Sequence, residues 1–302
     1  MIDKFINRLT ILKKLNFKSA KKIFQIIIFL DRIFLKLRLF FLKIFNFKNK
    51  NATQVIEDLE NNGVAVVKNF CNQDRINAIK EHCLDLTNKI PKEKTINTKY
   101  IEANKFQVDS ETLYLEKLGK SVKIKGLHLI SNFTKLITFN NFFNSLIFAY
   151  HLNKNKPYIL YNVSHDGSET HPVFKDHSHN NDQNEAIAGK PHIDLFMHKL
   201  RCFVALEDVN LNNGATVYYE KSHSSELLKK NHLNVLLNKF DFDTDVNDTH
   251  CISNKTLKEL EKKYQKKHLV CNKGDLVMID LKMVHYAVMP KQGSRHLLWL
   301  YY

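Results

Sequence analysis

The chain has 302 residues, 44% hydrophobic and 25% charged, with 8 Gly, 5 Pro and 21 Phe, a usage that excludes a disordered, collagen-like or disulfide-framework protein. Its formal charge is +15, but 13 of the 46 Lys and Arg and only 2 of the 31 acidic residues lie within residues 1–50, so the other 252 residues carry only +4. A body so nearly balanced offers no basic face for nucleic acid. Five cysteines, odd in number and without a C-x-x-C pair, point to a reducing, cytoplasmic compartment where they serve as small buried apolar residues.

The stretch from Lys21 to Phe47 is rich in Ile, Leu and Phe, yet Asp31, Arg32, Lys36, Arg38 and Lys43 interrupt it too often for a membrane-spanning helix. No small-residue cleavage site follows a short apolar core, as a secretory signal requires. At about 100° per residue, Lys14, Lys18, Lys21, Lys22, Gln25, Arg32, Lys36, Lys43 and Asn46 fall within roughly 60° of one direction, and most of the remaining circumference is apolar. Residues 1–50 are therefore expected to form a basic amphipathic helical segment. Residues 1–48 can lie peripherally on the inner face of a membrane, with apolar side chains in the acyl boundary and cations among headgroups. A helix docked on the protein's own body or on a second subunit is the competing expectation.

Residues 46–51 read as a polar linker, after which Thr53 can cap a short helix ending at Asn61-Asn62-Gly63. A β-rich run, Gly63 to Lys68, precedes a helix that Asn72 opens. Residues 90–120 are polar and weakly periodic, and the span from Leu127 to Leu152 reads as helical. From Tyr158 the texture changes to short strand-like runs: 158–163, 190–197, 200–206, 215–219, 276–281 and 296–302. Turns at Asn212-Asn-Gly214, Lys273-Gly-Asp275 and Gln292-Gly-Ser294 punctuate them, which argues for an antiparallel sandwich or barrel. Residues 164–189 form a long loop suited to a substrate lid, and residues 222–268 read as a charged helical insertion.

The most informative string is Lys190-Pro-His-Ile-Asp194. On a strand, residues two apart share a face, so His192 and Asp194 can present an imidazole and a carboxylate to one point while Ile193 faces the core. Ninety residues on, Gly274-Asp275 opens a strand with His285 at its end. Two imidazoles and one carboxylate make the facial set that suits non-haem iron(II) and leaves positions open for reactants. Ten residues beyond stands Arg295, whose planar guanidinium can hold a carboxylate through two parallel hydrogen bonds.

His-Ile-Asp, then Asn-Asn-Gly-Ala-Thr-Val-Tyr-Tyr-Glu-Lys-Ser-His (212–223), Gly274-Asp275, His285 and Arg295, in that order, resemble the phytanoyl-CoA dioxygenase family of Fe(II)- and 2-oxoglutarate-dependent oxygenases. Asn62 to Phe70 and the following helix resemble the family's amino-terminal strand and helix, so the likeness runs from about residue 53 to the end. The resemblance implies a mainly β fold with flanking helices around a double-stranded β-helix, a cupin-like jelly roll, over residues 51–302. It implies Fe(II) on His192, Asp194 and His285, 2-oxoglutarate on Arg295, O2 as oxidant, and hydroxylation of a small or lipid-like substrate with release of succinate and CO2. Relatives that halogenate carry a small residue where this chain has Asp194, so hydroxylation is the expectation. The chain departs from the family's usual P-G-S-H at Glu220-Lys-Ser-His223. His165, His171, His177 and His179 in the loop before the H-x-D leave open a second metal site, with solvated histidines as the plainer reading. A noncatalytic metal-binding jelly roll, tethered to a membrane or partner, is the alternative of another class.

Overall fold

An eight-stranded antiparallel sheet organises the chain, because its strands alternate two kinds of face. The computed structural model describes residues 17–88, 104–108, 111–118, 121–130, 141–152, 157–166, 189–195, 197–228 and 251–302. Helix α1 (Phe17–Phe45) and helix α2 (Lys50–Asn62) lead into strand β1 (Val64–Val67) and helix α3 (Gln73–Asn88). Strands β2 (Asn104–Val108), β3 (Glu111–Leu118) and β4 (Ser121–Lys125) follow, then helix α4 (Asn141–His151) and strand β5 (Tyr158–His165). The remainder comprises β6 (Leu200–Ala205), β7 (Val217–Tyr219), helix α5 (Asn254–Glu261), β8 (Lys266–His268), β9 (Leu276–Asp280), β10 (His285–Tyr286) and β11 (Ser294–Tyr301). The large sheet runs β1-β9-β6-β11-β5-β4-β3-β2, and a three-stranded sheet runs β10-β7-β8. Together they form the double-stranded β-helix expected from the family resemblance.

Side-chain alternation divides the large sheet into a helix-facing and an inner surface. Ile159, Tyr161 and Val163 of β5, Leu298 and Leu300 of β11, and Leu200, Cys202 and Val204 of β6 join one core with Ile56 and Leu59 of α2, Ile76 and Ile79 of α3 and Leu146 of α4. The intervening residues point the other way. There Phe203, Val277, Ile279 and Leu297 form a second core with Val209, Ala215 and Leu269, while Leu160, Asn162, Arg201, Arg295, Trp299 and Tyr301 line a cavity. A third cluster, with Ile193, Tyr219, Ile252, Leu260 and Val284, backs the small sheet.

Local chemistry fixes the element ends. Asn49, rather than Thr53, caps α2: its side-chain oxygen accepts from the Ala52 N–H at 3.1 Å, three residues on, which Thr53 inside the first turn cannot do. Gly63 ends α2 at φ 80°, donating to the Leu59 carbonyl. Asn72 accepts from the Arg75 N–H at 3.0 Å and opens α3 as its sequence indicates. All five cysteines are buried.

Three further sequence expectations differ from the structure. The weakly periodic stretch before Gly126 supplies β2, β3 and β4, which extend the large sheet past β5 as a meander. Alternating Lys123 and Lys125 with Val122 and Ile124 blurs the apolar signal there, since only one face of β4 meets the helices. Among the described residues of the run 190–197 there is no strand, and only His192 forms bridges, to Cys251 and His285. Residues 222–268 contain α5 but end in β8, a strand of the small sheet that pairs with β7, while residues 229–250 lie outside the described ones. The lid expected over 164–189, with His171, His177 and His179, lies mostly outside the described residues as well.

Candidate active site

His192 and His285 meet backbone to backbone. Each N–H donates to the other's carbonyl, at 3.0 and 2.9 Å, so the small sheet gains one bridge beyond β10 and the two rings come to 4.5 Å between centroids. His285 is held in turn by β10, whose neighbour β7 pairs it with Tyr218. Asp194 is placed by its own N–H, which donates to the carbonyl of Leu281 just past β9, at 3.0 Å. Ile193 between them is wholly buried. The same-face geometry expected of a strand thus arises from one bridge and one long-range hydrogen bond.

Both imidazoles are oriented by carbonyls. His192 Nδ1 lies 2.6 Å from the Lys190 carbonyl oxygen and His285 Nδ1 lies 2.9 Å from that of Met283. A carbonyl only accepts, so each Nδ1 carries the proton and each Nε2 keeps its lone pair, the tautomer a metal ligand needs. Those Nε2 atoms face Asp194: His192 Nε2 is 3.7 Å from Oδ1, and His285 Nε2 is 3.4 Å from Oδ2. The three donor groups lie within 4.8 Å of one another, close to the spacing that bonds of about 2.0–2.2 Å to one ion require.

The electrostatics favour the ligand forms. Burial, with the neighbouring His285, pushes His192 down to about 4 and keeps it neutral. Burial alone would raise the Asp194 carboxyl, but His285, Arg201 and His192 together outweigh it and hold the group well below the usual carboxylate range.

Arg295 lines the same cavity, of about 610 Å³. It leaves β11 opposite Ser164 of β5, and one Nη donates to the Gly214 carbonyl oxygen. Its Nε is buried without an acceptor, and among the described residues no carboxylate pairs with it. Burial pushes the guanidinium down to about 10. A buried cation in this state is poised for an anion supplied from outside. Gly214 stands at φ 88° with the Val288 carbonyl 2.5 Å from where a Cβ would be, so glycine is needed at the position whose own carbonyl reaches Arg295. The donor set and the orphaned guanidinium together fit iron(II) and a dicarboxylic cosubstrate.

Sequence reasoning placed these four residues in one site, and the structure brings them to one cavity. It missed Arg201, whose Nη1 lies 2.7 Å from Asp194 Oδ2 and whose guanidinium sits 4.5 Å from the Tyr301 ring centre. One signal was available: a lone charge inside Leu200-Arg-Cys-Phe-Val-Ala marks the inner face of a strand as polar. Asn162 also lines the cavity, whereas the neighbouring Tyr161 is fully buried on the opposite face with its hydroxyl 2.7 Å from His296 Nδ1. Ser222 accepts from the Val284 N–H at 2.9 Å and so braces the approach to His285. Asp275 is structural, accepting from the N–H groups of Asn69 and Asn272.

Among solved structures the chain is similar to HygX from Streptomyces hygroscopicus with nickel and 2-oxoglutarate bound, at 10% identity, covering 82% of this chain and 85% of that one with a TM-score of 0.47. It is similar to EctD from S. alaskensis with bound Fe, at 11% identity over 83% of this chain and 75% of that one, TM-score 0.47. AviO1 from Streptomyces viridochromogenes gives 13% identity over 82% and 93%, TM-score 0.46. No curated protein sequence matches the chain. The family model described as phytanoyl-CoA dioxygenase matches residues 59–289, a span that holds His192, Asp194 and His285 and ends just before Arg295. The chain belongs to the phytanoyl-CoA dioxygenase family.

Proposed function

We propose that the protein is an iron(II)- and 2-oxoglutarate-dependent hydroxylase of a small or lipid-like organic substrate, with residues 51–302 as its catalytic domain. His192, Asp194 and His285 hold the metal in this reading, and Arg295 takes the far carboxylate of 2-oxoglutarate. The observation that carries it is the meeting, in one cavity, of three converging donors and a buried guanidinium whose Nε lacks an acceptor. Iron(II) bound there, with 2-oxoglutarate and O2, supplies the oxidation that converts a substrate C–H to C–OH while the cosubstrate leaves as succinate and CO2.

The chain's own residues supply position and polarity. The Lys190 and Met283 carbonyls fix both imidazoles so that neither ring must turn to present Nε2. Arg201 takes one oxygen of Asp194, which limits that carboxylate's rotation. Arg295, approached by a dicarboxylate, exchanges an unsatisfied buried donor for a charge-assisted pair. Leu160, Trp299 and Tyr301 give the cavity an apolar and aromatic wall, while Lys123, Lys125 and Arg201 give it a cationic side, a lining suited to an organic substrate that carries an anionic group.

The test is succinate formation from 2-oxoglutarate by the iron-loaded protein across a panel of candidate substrates. Substrate-stimulated succinate with a hydroxylated product is expected, falling by at least about 100-fold in His192→Ala and Asp194→Ala. Full turnover in those variants overturns the ligand assignment. A product without an added oxygen replaces hydroxylation by another oxidative outcome. Tight metal binding with no turnover on any substrate favours the noncatalytic alternative.

A further inference from the structure

Helix α1 docks on the body by a narrow stripe and turns a broad apolar face away from it. Ile28, Leu35 and Leu39 are buried, and at about 100° per residue they fall within about 40° of one another. Opposite them, Phe29, Leu30, Phe34, Leu37, Phe41 and Ile44 are exposed, with Phe29 62% and Phe34 54% accessible. With their exposed neighbours from Ile23 to Phe45 they sweep about 160° of the circumference along roughly 33 Å of helix. A patch of this size marks a binding surface rather than scattered exposure.

The charges say what covers it. Asp31, the only acidic residue of α1, faces inward, where its carboxylate accepts from the His198 N–H at 3.2 Å. Lys43 faces α2 and pairs with Glu60 at 2.6 Å. Arg32 and Lys36 remain exposed along one shoulder between the docked stripe and the apolar face. With Lys221 they edge a second cavity, of about 640 Å³, whose acids are Glu60, paired to Lys43, and Asp280, hydrogen-bonded to His198. A second copy of α1 laid on this face would bring more cations and no outward carboxylate to meet them. Phosphate headgroups beside an acyl layer satisfy both features. Among the described residues no helix is long and apolar enough to cross a membrane.

We infer that α1 is a peripheral docking surface for an anionic lipid bilayer, its outward Phe and Leu side chains entering the acyl boundary and Arg32 and Lys36 meeting headgroup phosphates. This stands independently of the reading of the cavity. The test is flotation of the full chain with vesicles of phosphatidylcholine alone and of phosphatidylcholine mixed with phosphatidylglycerol, with light scattering of the free protein alongside. Wild type is expected to bind the mixed vesicles at least about tenfold more tightly than the neutral ones. Phe34→Asp with Phe41→Asp should abolish binding to both, and Arg32→Glu with Lys36→Glu should remove the anionic preference. All four positions are solvent-exposed, and unchanged circular dichroism checks the fold. Equal binding by the variants, no binding by wild type, or a solution dimer that Phe34→Asp with Phe41→Asp dissociates would overturn the inference, the last because a second copy then covers the face.

Discussion

The two sides of the cavity are built by different means. The wall that carries Arg295, Asn162 and Trp299 is continuous sheet, with β11 paired to β5 along eight residues and to β6 along four. The side that carries His192, Asp194 and His285 is a two-residue strand, two isolated bridges made by His192 and a loop tied to Leu281. A ladder fixes direction by repetition, so the loss of one bond matters little. The ligand side has no such redundancy, and each hydrogen bond there places a particular side chain. Substitutions on the wall should therefore alter what the cavity holds, and substitutions behind the ligands should alter whether the site exists.

The sharpest test is a split between two truncations. His285→Ala removes a donor from a set of three and should lower iron affinity and turnover by at least about 100-fold. Arg295→Ala should leave iron affinity within about threefold but raise the KM for 2-oxoglutarate by about 10- to 100-fold, because the charge-assisted pair is lost while the ligands stay. Calorimetric metal titration and steady-state kinetics separate them. Equal loss of iron binding in both variants would erase the distinction between wall and ligand side.

Next in size is Gly214→Ala. The added methyl meets the Val288 carbonyl at 2.5 Å, and the φ of 88° costs a side-chain residue about 1–2 kcal/mol before that clash is counted. Since the Gly214 carbonyl accepts from Arg295, the strain should show in the cosubstrate KM as well as in urea denaturation. Destabilisation with an unchanged KM would mean that this carbonyl does not position the guanidinium.

The same contrast explains what the sequence discloses. Strands β1, β5, β6, β7, β9 and β11 are legible because each alternates or runs apolar between turn signals, and the inner-face residues then follow by counting in twos. Strands β2 to β4 are not, because their charged positions conceal the period, although Leu113, Val122 and Ile124 still join the helix-facing core. For the site, His192, Asp194, His285 and Arg295 are visible as residue types in order, yet their convergence depends on bonds between residues about ninety positions apart, such as Asp194 to Leu281. Arg201 shows in the sequence only as a lone charge in an apolar run and Ser222 only as part of the Ser-His pair, and what each holds becomes visible through its contacts with Asp194 and Val284.

Ser222→Ala probes one such contact. Its hydroxyl is the acceptor for the buried Val284 N–H, one residue before His285, and Ser222 itself has no exposed surface. Leaving that donor unsatisfied should cost about 1–3 kcal/mol in denaturant melts and weaken iron binding severalfold, since β10 begins at the next residue. Loss of stability with unchanged iron affinity would show that β7 and the His192 bridge position His285 without Ser222.

The smallest effect at neutral pH belongs to the wall. His296 on β11 is pushed from 6.5 down to about 4, chiefly by burial, and its ring lies between the Tyr161 hydroxyl and Ser294 Oγ. Between those two pH values the unfolded chain takes up a proton that the folded chain refuses, so this contribution to stability is complete above pH 6.5 and is lost as pH falls toward 4. His192 and His223 shift in the same direction and share the slope. His296→Gln should leave stability at pH 7.5 changed by less than about 1 kcal/mol, because the amide can still bond Tyr161, and should flatten the acid limb by at most about 1.4 kcal/mol per pH unit. Urea melts of the metal-free protein from pH 7.5 to 4 read this directly. An unchanged slope would place the acid sensitivity on other buried histidines, His192 on the ligand side and His223.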